Sequence, residues 1–358
     1  MISTVSEQLT ARELKVRASL IVLVIALFFS LVLSVGVGPM QISMADSLSV
    51  ILAHSGMIES DASAAVESVV ESIRLPRSIL GVLVGAVLAV CGAAMQGLFR
   101  NPLADPGLIG VTGGASLAAV ALIVLGGTSF SFMYQLFGPY TLMIAAFTGA
   151  FITTLIVSKV ATTQFGTSVT SMLLAGIAIG IITGAAVGLL TYAADDGQLR
   201  TLTFWSMGSL GGATWETVLA AGSLIIFPLV LLPRHAKNLN ALLLGESEAR
   251  HLGIDVEKVK RQIIMLTAIG VGAAVAVSGM IGFVGLIVPH IVRLVLGPDH
   301  RYLLIASAAL GALFLLVADM ISRTIIAPAE LPIGLITTII GGPFFITMVV
   351  YRARSNAL

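Results

Sequence analysis

Four charged residues lie within or beside long apolar segments, where charged side chains are rare. Arg74 and Arg77 flank a Leu-Pro pair at the start of a long apolar segment, and Asp319 and Arg323 lie four residues apart in another. An acid four residues before a base on a helix favours a local ion pair, which explains Asp319 by mutual neutralisation. Arginine at a helix start is unfavourable for the helix dipole. We therefore expect Arg74 and Arg77 to meet an external acidic partner, whereas Arg323 fits neutralisation and outward recognition equally well.

A further apolar segment carries a glycine at every fourth position. The glycines are Gly176, Gly180, Gly184 and Gly188. On a helix they fall on one face, which lacks side chains. Such a face either permits close packing against another backbone or leaves room along a passage. The sequence alone leaves both interpretations open.

Few other residues are candidates for chemistry. His290 follows a proline in a short apolar segment, where a packed or interfacial histidine is a simpler interpretation than a ligand. The single cysteine, Cys91, lies within an apolar run, which excludes a disulfide framework and a cysteine-based metal site. The sequence has no G-x-x-x-x-G-K-S/T phosphate loop, no H-E-x-x-H and no G-x-S-x-G. We therefore expect that this chain is not itself an enzyme.

The composition places these residues in a membrane protein. Of 358 residues, 57% are hydrophobic and only 10% are charged, whereas soluble domains carry about 25% charged residues. A packed core cannot absorb this much apolar surface, so lipid must cover part of it. Soluble enzymes, disordered chains and disulfide scaffolds are excluded. A net charge of +1 also excludes an electrostatic nucleic-acid binder.

Apolar runs bounded by charge, proline and glycine predict about ten transmembrane helices. We expect an all-α, polytopic membrane protein with a single domain over residues 1–358. The first run is too long for a signal peptide and no clear cleavage site follows it. The predicted helices cover 18–37, 77–99, 108–125, 140–160, 171–192, 216–232, 262–281, 286–296, 302–326 and 333–351. The eighth is too short to cross a bilayer untilted.

The distribution of Lys and Arg predicts that both termini are cytoplasmic. With that orientation, all but four of the 19 basic residues lie on the inner side; the outer four are Arg74, Arg77, Arg200 and Arg323. The largest outer loop, 38–73, is acidic. Its second half, 62–73, has the apolar spacing of a short amphipathic helix on the outer surface. The largest inner loop is 233–261.

The inner loop is patterned like a docking element. Its glycines predict two short helices, and its apolar positions are too many for a solvated connection. We therefore expect it to contact a cytoplasmic partner through apolar positions with charges among them. The residues assigned to this contact are Leu242, Leu243, Gly245, Glu246, Arg250, Leu252 and Gly253.

Several long motifs resemble the permease subunits of bacterial ABC importers for iron–siderophore complexes, haem and vitamin B12, the FecCD-like family. They are Arg-Leu-Pro-Arg at 74–77, a stretch at 92–107 that contains Arg-Asn-Pro-Leu-Ala-Asp-Pro-Gly, and the segments 244–253, 282–290 and 329–334. These motifs are spread over nearly the whole chain. The stretch 91–110 is most similar to haem permeases.

The resemblance implies a homodimer in the bacterial inner membrane, with a pathway along the dimer axis. Two cytoplasmic ATPase subunits would dock below it and a periplasmic binding protein above it. ATP and Mg²⁺ would bind the partner ATPase, and this chain would bind no metal or cofactor of its own. The substrate would be haem or another iron chelate, with a ferric siderophore or vitamin B12 as the alternatives.

The resemblance also assigns roles to particular positions. Arg74, Arg77 and Arg323 would pair with acidic residues of the binding protein, and the segment 242–254 would couple to the ATPase. An inner gate would lie at the connection before the fifth helix, and the fifth and tenth helices would line the passage. The gate and pathway residues are Thr167, Ser168, Thr170, Ser171, Gly176, Gly180, Gly184 and Gly188.

Two other classes compete with an importer permease. An ion-coupled secondary transporter would need acids inside its spans. Here Asp319 is the one acid well inside a predicted span, and it lies four residues from Arg323. A structural or enzymatic subunit of a membrane complex is the third class, and co-purification with an ATPase would argue against it.

The lack of a phosphate-cradling loop gives a first testable prediction. We expect the purified chain, free of partner subunits, to hydrolyse no ATP, because no backbone cradle holds the nucleotide phosphates. Phosphate release in detergent measures this directly. ATP turnover by the chain alone that survives repeated purification would contradict the prediction.

Overall fold

The computed structural model describes residues 2–40, 42–54, 62–127, 129–164 and 166–355, with side chains described between residues 13 and 350 of these ranges. The first eight helices are α1 (Ile2–Gly36), α2 (Met44–His54), α3 (Ala64–Val69), α4 (Leu75–Leu98), α5 (Val111–Leu125), α6 (Ser131–Phe137), α7 (Thr141–Val160) and α8 (Val169–Tyr192). The others are α9 (Asp196–Met207), α10 (Trp215–Leu231), α11 (Ala236–Leu244), α12 (Glu246–His251), α13 (Val256–Ser278), α14 (Val284–Leu296), α15 (His300–Ser322) and α16 (Ile333–Ser355). An antiparallel hairpin, β1 (Thr162–Thr163) and β2 (Gly166–Thr167), joins α7 to α8.

The predicted all-α membrane fold is confirmed. In the described ranges, eight helical segments are long and apolar enough to cross a membrane: Glu13–Gly36, Ala64–Leu98, Ser131–Val160, Val169–Tyr192, Trp215–Leu244, Val256–Ser278, His300–Ser322 and Ile333–Val350. The two other predicted segments are the shorter apolar helices α5 and α14. Each of the ten predicted segments is therefore helical. The cytoplasmic placement of the termini stays a prediction.

The region before α4 differs from the surface helix that the sequence predicted. Helix α3 continues through one π-helical turn, Val70–Arg74, directly into α4. Val70 packs with Val35 of α1 and Val50 of α2, so this segment covers a small apolar core instead of lying free. Residues 55–61 of the predicted outer loop, including Glu59 and Asp61, lie outside the described residues.

Three described helices were not predicted separately. They are α2, α6 and α9. Helix α9 begins with a capping box in which Asp195 accepts from the backbone N–H of Gln198 at 2.8 Å and the Gln198 side chain accepts from the backbone of Asp195 at 3.0 Å. This reciprocal capping satisfies helix-start N–H groups that have no intrahelical partner. A short helix therefore forms between the predicted spans 171–192 and 216–232.

Helix α4 is the centre of the bundle. In the continuous helical segment Ala64–Leu98, 83% of the residues in the most apolar stretch are buried. It packs against α10, α13, α14 and α15. Two glycines make the closest approaches possible: a Cβ at Gly85 would overlap the carbonyl oxygen of Gly311 on α15, and one at Gly92 would overlap that of Gly285 on α14. Small residues at such crossings let helix backbones approach each other where apolar side chains could not fit.

Helices α1 and α8 contrast with α4, because only 11% of the residues in the most apolar stretch of each helix are buried within the chain. Large apolar side chains on α8 are exposed, among them Leu174, Ile181 and Leu189. In a membrane protein such faces contact lipid or another subunit. The chain therefore has a well-packed centre and two long helices with little internal support.

The backbone contact at Gly92 gives a prediction about stability. We expect Gly92→Ala to destabilise the fold by about 1–3 kcal/mol, because the added methyl group forces α4 and α14 apart. The measurement is the melting temperature of the detergent-solubilised protein, followed by fluorescence-detected size exclusion. Gly342→Ala on α16 is the matched control, because the added Cβ would meet no heavy atom within 4 Å other than those of its chain neighbours and the nearby backbone of α16. Equal melting temperatures for both variants would show that the helices separate without strain.

Candidate functional site

Arg77 lies at the centre of a buried charge cluster where α4 begins. Its Nε donates to Asp319 of α15 at 3.0 Å, and its Nη1 donates to Glu330, in the loop before α16, at 2.8 Å. The side chains of Arg77 and Asp319 are 7% and 1% exposed. Asp319 also lies 3.5 Å from Nε of Arg323, so two guanidinium groups share one carboxylate. This cluster joins α4, α15 and the loop before α16.

Arg74 and Arg323 connect the same cluster to the end of α1. Arg74 Nη1 donates to the carbonyl oxygens of Val35 at 2.8 Å and Gly36 at 2.6 Å. Arg323 Nη2 donates to Ser34 Oγ at 2.8 Å. The last carbonyls of a helix have no intrahelical partner, and basic side chains satisfy them. The two arginines therefore fix the end of α1 against the bundle.

The outward-pointing arginines expected from the sequence are not found. Arg74, Arg77 and Arg323 are only 4%, 6% and 2% exposed. The helix-dipole argument does not apply, because α3 and the π turn run directly into α4 and place Arg74 and Arg77 inside a continuous helix. The partner of Arg77 is instead Asp319, 242 positions along the chain. Docking to a binding protein is a separate question and stays a prediction. Arg200 of α9, which the sequence placed on the outer side without assigning it a role, is exposed.

The inner loop forms two short helices, α11 and α12, as its glycines predicted. Gly245 lies between them with φ of +131°, and Gly253 follows the second with φ of +81°. Glycine adopts positive φ without the strain that a side chain would cause. Leu243 and Leu252 are 41% and 65% exposed, as expected for a docking surface.

The predicted surface position of Leu242 is wrong. Leu242 is 2% exposed and packs into the main core together with Leu239, three residues earlier on the same face of α11. Leu244, which the sequence did not single out, is 68% exposed. The exposed apolar surface of the inner loop therefore consists of Leu243, Leu244 and Leu252.

A hydrogen-bond network holds α11 against the start of α15. Asn240 donates to Asp299 at 2.7 Å and accepts from the backbone N–H of His300 at 2.9 Å. Hydrogen bonds from Arg301, together with the one from Asn240, hold the pKa of Asp299 well below its usual range. Asp299 is therefore charged at neutral pH and serves as the N-cap of α15.

The charges of the inner loop converge on a lysine that sequence reasoning missed. Glu246 of α12 lies 2.7 Å from Nζ of Lys260 on α13, and Arg250 lies 3.8 Å from Glu246. Lys260 also contacts Glu257 at 3.2 Å, although its side chain is only 3% exposed. Lys260 looked like one of several charges near the end of a polar loop, and its burial is visible only in the fold.

The predicted gate segment begins at the hairpin and is bound to the same charges. The backbone N–H of Thr167 donates to Glu257 at 2.7 Å, and its carbonyl accepts from Lys260 at 2.7 Å. Ser168 caps α8 by accepting from the backbone N–H of Ser171 at 3.2 Å. Thr170 is exposed. The structure thus brings Thr167 together with Glu246 through Lys260.

The sequence left open whether the four glycines of α8 permit close packing or leave room along the helix, and the structure shows both. Gly176 packs closely, since a Cβ there would overlap the carbonyl oxygen of Leu108. A Cβ at Gly180, Gly184 or Gly188 would meet no heavy atom within 4 Å other than those of its chain neighbours and the nearby backbone of α8. The last three turns of α8 therefore present an open, side-chain-free face.

His290 is a packed residue, as the simpler interpretation held. Its ring lies edge-on to Phe344 of α16, with ring centroids 5.8 Å apart. Among the described residues, no three His, Cys, Asp or Glu side chains are placed to hold a metal ion together.

The fold defines a class, the polytopic α-helical membrane protein. Within that class, residues 24–351 match the FecCD transport family, and this chain belongs to it.

Relatives and a solved structure agree with this assignment. The chain is 46% identical, over 80% of its length and 84% of the relative, to the hemin transport system permease protein HmuU of Yersinia pestis. It is 40% identical, over 95% of its length and 96% of the relative, to the vitamin B12 import system permease protein BtuC of Vibrio vulnificus. A metal-chelate type ABC transporter in an inward-facing conformation superposes with a TM-score of 0.80 at 31% identity, covering 93% of this chain and 98% of that one.

The buried charge cluster predicts a structural role for Arg77. We expect Arg77→Met to destabilise the protein by up to about 3–5 kcal/mol, because Asp319 would keep only its longer contact with Arg323 and Glu330 would lose its partner. The melting temperature in detergent measures this. Arg200→Met is the control, because that arginine is exposed and its loss should change stability little. If the two variants melt alike, Arg77 is not held by the cluster.

Proposed function

We propose that this chain is the membrane-spanning subunit of an ATP-driven importer that moves haem, or another metal chelate, inward across the inner membrane. The observation that carries the proposal is the family match over residues 24–351, combined with 46% identity to a hemin permease. The chain supplies the passage, and a partner ATPase supplies the energy.

A corrinoid such as vitamin B12 is the second candidate substrate. The vitamin B12 permease of Vibrio vulnificus matches over 95% of this chain, which is more than the 80% matched by the hemin permease. Both substrates are large metal macrocycles, so the same passage would suit either. Ferric siderophores remain a third possibility within the family.

The passage is proposed to run along α8 at the axis of a homodimer. The open glycine face of Gly180, Gly184 and Gly188 supports this, because it leaves room beside a helix that is little supported within its own chain. Two copies facing each other would enclose a wide channel without bulky side chains in it. The gate would close it at the cytoplasmic end, near Thr170 and Ser171.

The inner loop is proposed to dock the ATPase. The exposed leucines at 243, 244 and 252 would fill an apolar groove in the partner, and Arg250, which is 56% exposed, would set the orientation. A permease without a nucleotide site must receive the motion of the ATPase through such a contact.

Docking of the binding protein is proposed at the opposite end. Three arginines meet two carboxylates there, so the cluster of Arg74, Arg77, Arg323, Asp319 and Glu330 carries a formal charge of about +1. Glu330 is the member that solvent reaches, with 39% of its side chain exposed. A carboxylate of the binding protein would replace Glu330 as a partner of Arg77, and the exposed Arg200 would attract further acidic residues of the binding protein.

Reconstituted transport tests the proposed function. The chain, its ATPase and its binding protein are placed in liposomes, and uptake of haem, cyanocobalamin and a ferric hydroxamate is measured alongside ATP hydrolysis. We expect ATP-dependent uptake of haem, with faster ATP hydrolysis when haem-loaded binding protein is present. Leu252→Asp should abolish both, because a charge enters the apolar contact, whereas the conservative Leu252→Met should retain them.

Each outcome of that experiment has a separate meaning. Uptake of cyanocobalamin in place of haem would select the second candidate substrate. Full transport by Leu252→Asp would remove the inner loop from the ATPase contact. If no chelate stimulates ATP hydrolysis or enters the liposomes, the importer assignment itself is contradicted.

A further inference from the structure

Lys260 connects three separate elements through one buried ammonium group. Its Nζ donates to Glu246 of α12 at 2.7 Å, to Glu257 of α13 at 3.2 Å and to the carbonyl oxygen of Thr167 in the hairpin at 2.7 Å. An ammonium has three N–H donors, so these contacts use all of them. The side chain is 3% exposed. Few lysines are buried so deeply unless each donor is matched.

The hairpin is shaped to receive this contact. Gly166 has φ of +110°, and a Cβ at that position would lie 2.6 Å from an oxygen of Glu257. A side chain there would therefore be strained and would also displace the carboxylate. Because Gly166 leaves this space, Glu257 accepts from the N–H of Thr167 while Lys260 donates to the carbonyl of the same residue. Both backbone groups of Thr167 are held from α13.

Movement of the hairpin would pass directly to α8. Thr167 pairs with Thr162 across the hairpin, and the next residue, Ser168, is the N-cap of α8. At the other end of the contact, Glu246 is the first residue of α12, directly after the break at Gly245. Lys260 therefore forms a charge-assisted hydrogen bond with Glu246 in the inner loop and another with Thr167, next to the start of α8.

We propose that Lys260 is a positioning residue that transmits displacement of α12 to the gate hairpin and α8. This proposal deepens the proposed function, since it assumes that α12 moves with an ATPase. Lys260 contacts neither nucleotide nor substrate. It makes α12, the start of α13 and the hairpin move as one body, because separating them would leave a buried charge unpaired.

The test is Lys260→Met in the reconstituted complex with ATPase and binding protein. Methionine keeps the length and apolar stem of the side chain and removes its charge and donors. With haem as the probe, we expect haem imported per ATP hydrolysed to fall about tenfold, roughly the factor that one lost charged hydrogen bond contributes to an equilibrium. Stimulated ATP hydrolysis should persist, because α12 still docks. Lys260→Arg should restore part of the ratio.

A second readout does not depend on the substrate. A cysteine replacing the exposed Gln164 in the hairpin turn is labelled with a maleimide, while the native Cys91 is fully buried and stays unlabelled. In the otherwise unaltered complex, ATP should change the labelling rate of the hairpin. In Lys260→Met that ATP-dependent change should disappear.

Lys258→Met is the matched control, because Lys258 lies on the same helix two residues away and is exposed. It should retain the import ratio and the ATP-dependent labelling. If Lys260→Met fails to assemble, Glu246→Gln takes its place. That variant keeps an acceptor of the same shape, weakens the contact of Lys260 with α12, and should lower the ratio in the same direction.

Two results separate failure of this proposal from failure of the proposed function. An assembled Lys260→Met or Glu246→Gln variant with an unchanged import ratio and unchanged ATP-dependent labelling would overturn the role of Lys260. If the unaltered complex imports no chelate, the proposed function fails, and the labelling readout still decides whether Lys260 links α12 to the hairpin.

Discussion

The need to pair every buried charge organises both ends of this molecule. A chain with 10% charged residues, largely surrounded by lipid, cannot leave a guanidinium, ammonium or carboxylate unpaired in its interior. Arg77 and Asp319 satisfy each other across α4 and α15 at one end, and Lys260 satisfies Glu246 and Glu257 at the other. Each cluster joins elements that are far apart in the sequence, so the charges determine which helix ends lie together.

Between the two clusters, contact between backbones replaces contact between side chains. Gly85 against Gly311 and Gly92 against Gly285 bring the backbone of α4 into direct contact with α15 and α14. Helix α8 is the opposite case, since it has little internal packing and an open face over its last turns. A tightly packed frame beside a loosely held helix suits a transporter, because the frame resists deformation while the helix changes position. The hairpin before α8 is one place where the frame meets that helix, in addition to its packing on α5 and α7.

Much of this fold could be predicted from the sequence, because membrane spans are long, apolar and locally encoded. All ten predicted segments are helical, and the glycines at 245 and 253 correctly predicted where α12 begins and ends. The sites were harder, because their partners are distant. No residue near Arg77 in the sequence indicates that its partner is Asp319. Local reasoning about the helix dipole therefore predicted an outward-facing Arg77, whereas the structure buries its side chain. Leu242 was placed on the wrong face because the orientation of α11 depends on its packing with α4 and α15. Lys260 was missed because a lysine near a polar loop is usually solvated, and only the fold buries it.

A distance measurement tests most directly whether α12 and the gate hairpin act as one body. Spin labels on cysteines replacing Gln164 and Ser247, with only one protomer of the proposed dimer labelled, report the separation of the hairpin from α12. Both positions are exposed, and the native Cys91 is buried. Across nucleotide-free and ATP-bound complexes, we expect this distance to stay constant with a narrow distribution. In a second sample, labelled only at position 164 but on both protomers, we expect the distance between the two labels to change. A distance from Gln164 to Ser247 that shifts or broadens with ATP would contradict a rigid connection through Lys260.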